Sequence, residues 1–228
     1  MQTIAERLKS AYVRIEQATD SANRPRNSVR LLAVSKTKPV SDINQAYEAG
    51  HRLFGENYVQ EGIEKINQLQ HLTDIEWHMI GPIQSNKTKL VAENFHWVQS
   101  IDRAKIARRL NDQRPTTLPS LNCCIQVNIN DEDSKSGVQP KDLPELIEIV
   151  NSLPHLTLRG LMAIPKAEMK TEEQEQTLGA LAELFSEYRT KLSNFDTLSV
   201  GMSDDVEAAI KHGSTMVRIG TAIFGARN

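Results

Sequence analysis

Val29-Arg30-Leu31-Leu32-Ala33-Val34-Ser35-Lys36 is an apolar run that ends in a lysine, and Pro39 follows. The run reads as a buried β-strand with Lys36 at its carboxyl end. Lysines are usually kept in water, because burying an ammonium is costly. At the mouth of a strand, desolvation can instead favour the neutral amine, a nucleophile that forms Schiff bases with carbonyl compounds.

Working outward, the strand pattern recurs. Strands are expected near residues 52–54, 75–80, 97–101, 122–128, 157–163, 197–200 and 215–219, with helical patterns between them. Ser41 reads as the N-cap of a short helix that stops at Gly50. The clearest helical pattern is Leu178, Leu181, Phe185, Tyr188 and Leu192, in steps of three and four. Ahead of the first strand, Ile4, Leu8, Tyr12 and Ile15 predict an amphipathic helix that ends by Asn23-Arg24-Pro25. Strands alternating with helices imply a parallel sheet. Eight units close most simply as a (β/α)8 TIM-type barrel, with the amino-terminal helix as an addition. The 228 residues are slightly few for that fold, and the opening helix is expected to cover the place of a missing final helix. The alternative is an open doubly wound sheet. With no Gly/Ser-rich linker and no repeat, residues 1–228 read as a single domain.

Composition excludes several classes. Net charge is −2, from 27 Lys and Arg against 29 Asp and Glu, so no basic excess points to nucleic acid. No apolar run approaches the roughly 20 residues of a membrane span, and the amino terminus lacks a signal-peptide core. The only cysteines, Cys123 and Cys124, are adjacent. Neighbours on a strand face opposite ways, so they suit neither a disulfide nor a metal. These features imply a cytoplasmic protein with reduced thiols, no metal and no membrane partner.

Functional groups of a barrel gather at the carboxyl ends of its strands. There the chain carries Lys36, then Gly55-Glu56-Asn57, then His78-Met79-Ile80-Gly81, then Gly201-Met202-Ser203-Asp204-Asp205, then Arg218-Ile219-Gly220-Thr221. Ser203 is expected to open a helix that runs to His212, and helix amino termini bind anions. Gly220 permits close backbone approach, and Thr221 offers an N–H and a hydroxyl. Together these make a phosphate cradle, although Asp204 and Asp205 would repel a phosphate unless both point away. Alternatively, Ser203 only caps its helix and Gly220 only turns the chain. Asn57 either contacts a cofactor or caps the helix at 58–69. His78 reads as a hydrogen-bonded structural residue, with a ligand contact as the alternative. Met162 reads as packing, Lys87 and Lys89 as a solvated face, and Lys135-Ser136-Gly137 as a mobile, solvated loop. A lysine amine beside a phosphate cradle suits pyridoxal 5'-phosphate (PLP).

Several blocks together resemble the pyridoxal phosphate homeostasis proteins, the YggS/PROSC family, in order along almost the whole chain. They are Leu32-Ala33-Val34-Ser35-Lys36-Thr37-Lys38-Pro39, Phe54-Gly55-Glu56-Asn57-Tyr58, Trp77-His78-Met79-Ile80-Gly81, Arg159-Gly160-Leu161-Met162, Gly201-Met202-Ser203-Asp204-Asp205 and residues 217–225, with Lys135-Ser136-Gly137 between them. The resemblance implies a barrel similar to the amino-terminal domain of alanine racemase, with PLP held as a Schiff base on Lys36. It implies Ser203, Gly220 and Thr221 at the phosphate, Arg218 at the pyridine nitrogen and Asn57 in the pocket wall. It implies control of free PLP and no established catalysis; exchange with apo PLP-dependent enzymes is the carrier reading. An arginine at the ring nitrogen only donates hydrogen bonds, so a strong electron sink is not expected. The expectation is therefore a monomeric cofactor carrier without efficient turnover. A weak racemase-like enzyme and an aldolase-type Schiff-base enzyme are the alternatives. Roles for Lys38 and Lys135 stay open.

Overall fold

Leu31, Leu32 and Ala33 are buried on both faces of the first strand, β1 (Arg30–Val34), as a barrel strand between axis and helices must be. The computed structural model describes residues 2–130, 136–166 and 169–226. Around β1 stand β2 (Leu53–Glu56), β3 (Glu76–Met79), β4 (Trp97–Ile101), β5 (Leu121–Gln126), β6 (Leu156–Met162), β7 (Thr197–Ser199) and β8 (Met216–Ile219). All neighbours pair in parallel, and β8 pairs with β1 to close the barrel in sequence order. The open sheet is thereby excluded.

Helices α1 (Ile4–Ser21), α2 (Val40–Glu48), α3 (Val59–Gln68), α4 (Thr88–Asn94), α5 (Ala104–Gln113), α6 (Leu143–Asn151), α7 (Thr171–Arg189), α8 (Val206–Lys211) and the single turn α9 (Thr221–Phe224) surround the barrel. Thr3 and Glu6 form a reciprocal capping box that starts α1. Ile4, Leu8, Ala11, Ile15 and Ala18 are its buried face. Fully burying a side chain of isoleucine or leucine size contributes about 1.5–3 kcal/mol, so this stripe suffices to dock the helix. It packs against α2, α8 and α9, where a full-length eighth helix would lie. Tyr12 departs from the expected stripe: it is 41% exposed, and its hydroxyl bonds His51 Nδ1 at 2.8 Å.

Two local readings change. Pro39, not Ser41, precedes the first turn of α2, and no side chain caps that helix. Proline presets the backbone there and has no N–H to satisfy. The stretch after Lys135 is not a free loop in its described part. Val138 forms a parallel bridge with Val127, and its N–H donates to the Gln126 carbonyl at 2.8 Å. Lys135 lies outside the described residues.

The barrel axis is filled in layers: Leu32, Ile80 and Met216 form one cluster, and Trp97, Cys124 and Met162 another. Cys123 packs into the shell beneath the helices instead. Burial pushes both thiols up, Cys124 to about 12, so neither is a nucleophile at neutral pH. Lys89 is exposed on α4, as its reading required.

A candidate cofactor site at the carboxyl mouth of the barrel

The carboxyl ends of β1, β2, β7 and β8 surround a cavity of about 270 Å³ lined by Lys36, Asn57, Ser203, Arg218, Gly220 and Thr221. These are the six residues picked out by the sequence, brought together from positions up to 185 residues apart. Val34, Ile80, Ile164 and Met202 supply apolar walls, and Asp204 stands at the rim. Among the described lining residues there is no tyrosine, histidine or cysteine.

Lys36 is half-buried, and the backbone on both sides of it is tied down. Before it, the Ser35 hydroxyl donates to Glu56 Oε1 at 2.5 Å. Lys65, from α3, donates to the Ser35 carbonyl at 2.7 Å, to Glu56 at 2.9 Å and to Glu61 at 2.7 Å. After it, the Thr37 N–H donates to Glu61 Oε1 at 2.6 Å, with Thr37 at φ 61°. A β-branched residue in left-handed backbone is strained, and the network holds it there. Glu56 is fully buried; burial raises its carboxyl, and the Lys65 ammonium opposes that shift. Sequence reasoning missed this clamp. Glu61 and Lys65 look like an ordinary surface i,i+4 pair, and only packing puts Lys65 inside. Lys38 turns away from the cavity, with its Nζ donating to the Ala226 carbonyl at 2.7 Å.

Asn57 does not cap α3: Tyr58 is the N-cap, with no side-chain bond. The Asn57 Oδ1 is buried without a hydrogen-bond partner. An unpaired buried acceptor costs about 1–3 kcal/mol, so it fits a site completed by a ligand donor. Gly81 packs against the Asn57 backbone so closely that any Cβ would collide with the Asn57 carbonyl oxygen. A Cβ at Gly220 would lie 3.1 Å from the Val34 carbonyl oxygen, so this glycine keeps the wall beside β1 thin. In α9 the first intrahelical bond is donated by Ile223 to Gly220, and the Thr221 and Ala222 amides precede it.

Ser203 sits in a turn, not in a helix, because α8 begins at Val206. The expected longer helix is shortened because Asp205 Oδ1 turns back to accept from the Met202 N–H at 2.5 Å. The same bond engages the Asp205 carboxylate. The Ser203 carbonyl accepts from Arg14 at 2.6 Å, which anchors the turn to α1.

Arg218 is 4% exposed. Its Nη1 donates to the Ser199 carbonyl at 2.8 Å and to Ser199 Oγ at 2.7 Å, and its Nη2 donates to the Ala163 carbonyl at 2.8 Å. All these partners are neutral. Burial draws the guanidinium down to about 10, which leaves it charged at neutral pH.

From Arg218 a chain of hydrogen bonds crosses the barrel interior. Ser199 Oγ donates to Gln99 Oε1 at 2.6 Å, and Gln99 Nε2 to His78 Nδ1 at 2.9 Å. His78 Nε2 pairs with Glu76 Oε1 at 2.8 Å, and Arg30 donates to the same oxygen at 2.5 Å. Every donor points from Arg218 towards the carboxylate. That direction requires a neutral His78 carrying its proton on Nε2. Burial pushes His78 down to about 4, which agrees. His78 also stacks on Trp97, with ring centroids 5.1 Å apart. His78 is therefore the structural residue expected, and Met162 is packing.

The geometry defines a class first, closed parallel eight-stranded barrels, and here a lysine follows the first strand. The alanine racemase N-terminal domain family matches residues 8–228. Alanine racemase from Corynebacterium glutamicum shares the fold at a TM-score of 0.71 and 16% identity, over 98% of this chain and 60% of that one. Closer relatives narrow the class. The pyridoxal phosphate homeostasis protein of Haemophilus influenzae is 57% identical over 228 residues, 99% of this chain and 96% of its own. That of Escherichia coli K12 is 55% identical over 230 residues, 100% of this chain and 98% of its own. PipY of Synechococcus elongatus PCC7942, solved with PLP bound, matches at a TM-score of 0.84 and 35% identity, over 98% of this chain and 100% of that one. The chain belongs to the pyridoxal phosphate homeostasis protein (YggS/PROSC) family.

Proposed function

We propose that this protein binds PLP on Lys36 and takes part in PLP homeostasis, holding the cofactor as a Schiff base and exchanging it without efficient turnover. The observation that carries this reading is the convergence of Lys36, Asn57, Ser203, Arg218, Gly220 and Thr221 on one cavity. When bound, the cofactor supplies an electrophilic aldehyde and an electron-withdrawing ring. Lys36 holds that aldehyde carbon through its amine. The Ser203 hydroxyl and the Gly220–Thr221 backbone bind the phosphate. Asn57 Oδ1 accepts a hydrogen bond that no protein group supplies. Arg218 would face the pyridine nitrogen as a donor and, having no acceptor, would leave that nitrogen unprotonated.

Weak electron withdrawal follows. A racemase also needs an acid/base group on each face of its substrate, and Lys36 is the only amine among the described lining residues. Both points support carriage over catalysis. We place the whole of residues 1–228 in one PLP-binding barrel that acts as a cytoplasmic monomer and passes PLP to apo-enzymes. No described helix is long and apolar enough to cross a membrane.

The test is an absorbance spectrum before and after borohydride reduction, followed by peptide mass mapping. A visible band fixed as a pyridoxyl adduct on the Lys36 peptide is expected. Absence of a band after adding PLP would overturn the reading. Amino-acid α-proton exchange well above that of free PLP would convert the carrier into an enzyme.

A further inference from the structure

The opposite, amino-terminal mouth of the barrel holds a second cavity of about 410 Å³, and its walls carry four arginines: Arg24, Arg30, Arg159 and Arg189. They come from four places: the segment before β1, the start of β1, β6 and the end of α7. Asp196 is the only acidic residue among the described wall residues. Glu76 lies just inside, bonded to Arg30. Counting both carboxylates, the mouth keeps an excess of about two positive charges.

Part of this cationic wall has structural work. Arg159 forms a two-pronged pair with Asp196, at 3.1 and 2.6 Å, and donates to Asn122 at 3.0 Å. Arg24 donates to the Ile210 and Ser214 carbonyls at 2.8 and 2.7 Å, capping the end of α8. These bonds also fix both guanidinium groups in place. Two features have no such account. Arg189 has no carboxylate or hydrogen-bond partner among the described residues, yet it stands near enough to Arg24 to depress it further after desolvation. Ser28, also in the wall, has a hydroxyl shut off from solvent with no partner. Converging like charges and an idle buried hydroxyl are both unfavourable on their own, and both are relieved by an anion between them.

We propose that this amino-terminal mouth is a second ligand site, distinct from the cofactor site, for a small phosphate monoester or an equivalent dianion. Arginine forks match phosphate oxygens in geometry and charge. The cavity is concave and bounded by Pro25, Thr197 and Thr215, dimensions that suit a small molecule.

The test is calorimetric titration of the full-length protein, with PLP fixed on Lys36 by borohydride so that the first phosphate site is filled and with all free PLP removed, using inorganic phosphate and pyrophosphate against chloride at matched ionic strength. Saturable binding is expected. Arg189→Ala should weaken it about tenfold or more, and Ser28→Ala by a smaller factor. Lys9→Ala removes one charge from the exposed face of α1 and should leave it unchanged. Arg189 is exposed at a helix end, so its loss does not threaten the fold. No saturable binding, or equal weakening by Arg189→Ala and Lys9→Ala, would overturn the proposal. If PLP fails to load, the same titration reads phosphate at this mouth through the Arg189 variant, so the two readings fail separately.

Discussion

The two mouths of this barrel are built from the same strands, and they place their polar and cationic groups by different means. At the carboxyl mouth the chain leaves each strand and turns towards a helix; after β8 the Thr221 and Ala222 amides precede the first bond of α9, and Thr221 lines the cavity. One buried cation, Arg218, and one lysine line the cavity there. At the amino-terminal mouth helices end, and their last carbonyls face the same region. Charged side chains must answer them: Arg24 donates to Ile210 and Ser214, and Arg114 donates to Ala92 and Phe95. Helix polarity thus favours anions at the carboxyl mouth, where amides lead, and opposes them at the other, where carbonyls lead and only arginines offset them. The chain from Arg218 through Ser199, Gln99 and His78 to Glu76 and Arg30 joins the two.

The largest effect that would sharpen this contrast is at Lys36. Lys36→Ala should abolish the borohydride-fixed adduct altogether, while the phosphate cradle retains weak, non-covalent cofactor detectable by dialysis. A full adduct on another lysine would break the assignment. Lys38 is a poor candidate, because its amine is engaged by Ala226.

Next comes pH. Burial pushes His51 and His78 down to about 4, whereas an unfolded histidine titrates near 6.5. The unfolded chain therefore binds more protons between those values. The stability that these residues contribute is complete above about pH 6.5 and is lost as pH falls towards 4. The full effect is on the order of 3 kcal/mol for each histidine. Urea midpoints at pH 7.5, 6 and 5 should fall in that order, and a flat profile would contradict the neutral His78 on which the chain's direction rests.

Gln99→Leu cuts the chain in the middle. It leaves the Ser199 hydroxyl proton without its acceptor and His78 Nδ1 without its donor, while Arg218 still donates to Ser199 Oγ, at about 1–3 kcal/mol for each lost bond. PLP should bind more weakly, with a shifted absorbance band, because Arg218 loses its fixed orientation. Unchanged affinity and spectrum would show that the Ser199 and Ala163 carbonyls hold Arg218 unaided. The smallest expected change is Ser203→Ala, which should weaken PLP binding by about 1–3 kcal/mol as measured by equilibrium dialysis. No change would return Ser203 to a turn residue anchored by Arg14.

The residues that line the cavity were legible before the fold as candidates, because most sit beside a local punctuation mark. Lys36 ends an apolar run, Asn57 follows Gly55-Glu56, and Gly220-Thr221 follows a strand. The supporting residues were not legible. Lys65 lies on a helix whose pattern gives no sign that this lysine is buried. Gln99 and Ser199 are separated by 100 residues and meet only because β4 and β7 face each other across the axis. Ser203 was identified as lining the site, while the helix drawn from it was too long, because Asp205 spends its carboxylate on Met202.

By itself the sequence determined the alternation of strands and helices, the docking stripe of α1 and the lysine at the end of the first strand, while the full set of pocket residues came from the family resemblance. The first three depend on spacing along the chain, which hydrophobic periodicity and turn residues encode locally. Only the tertiary structure decided that Lys36 is held between two clamped neighbours, that Asn57 keeps an idle acceptor, and that four arginines converge at the far mouth. Each of these is a contact between strands or helices distant in sequence, and closure of the barrel is what brings them within hydrogen-bond reach.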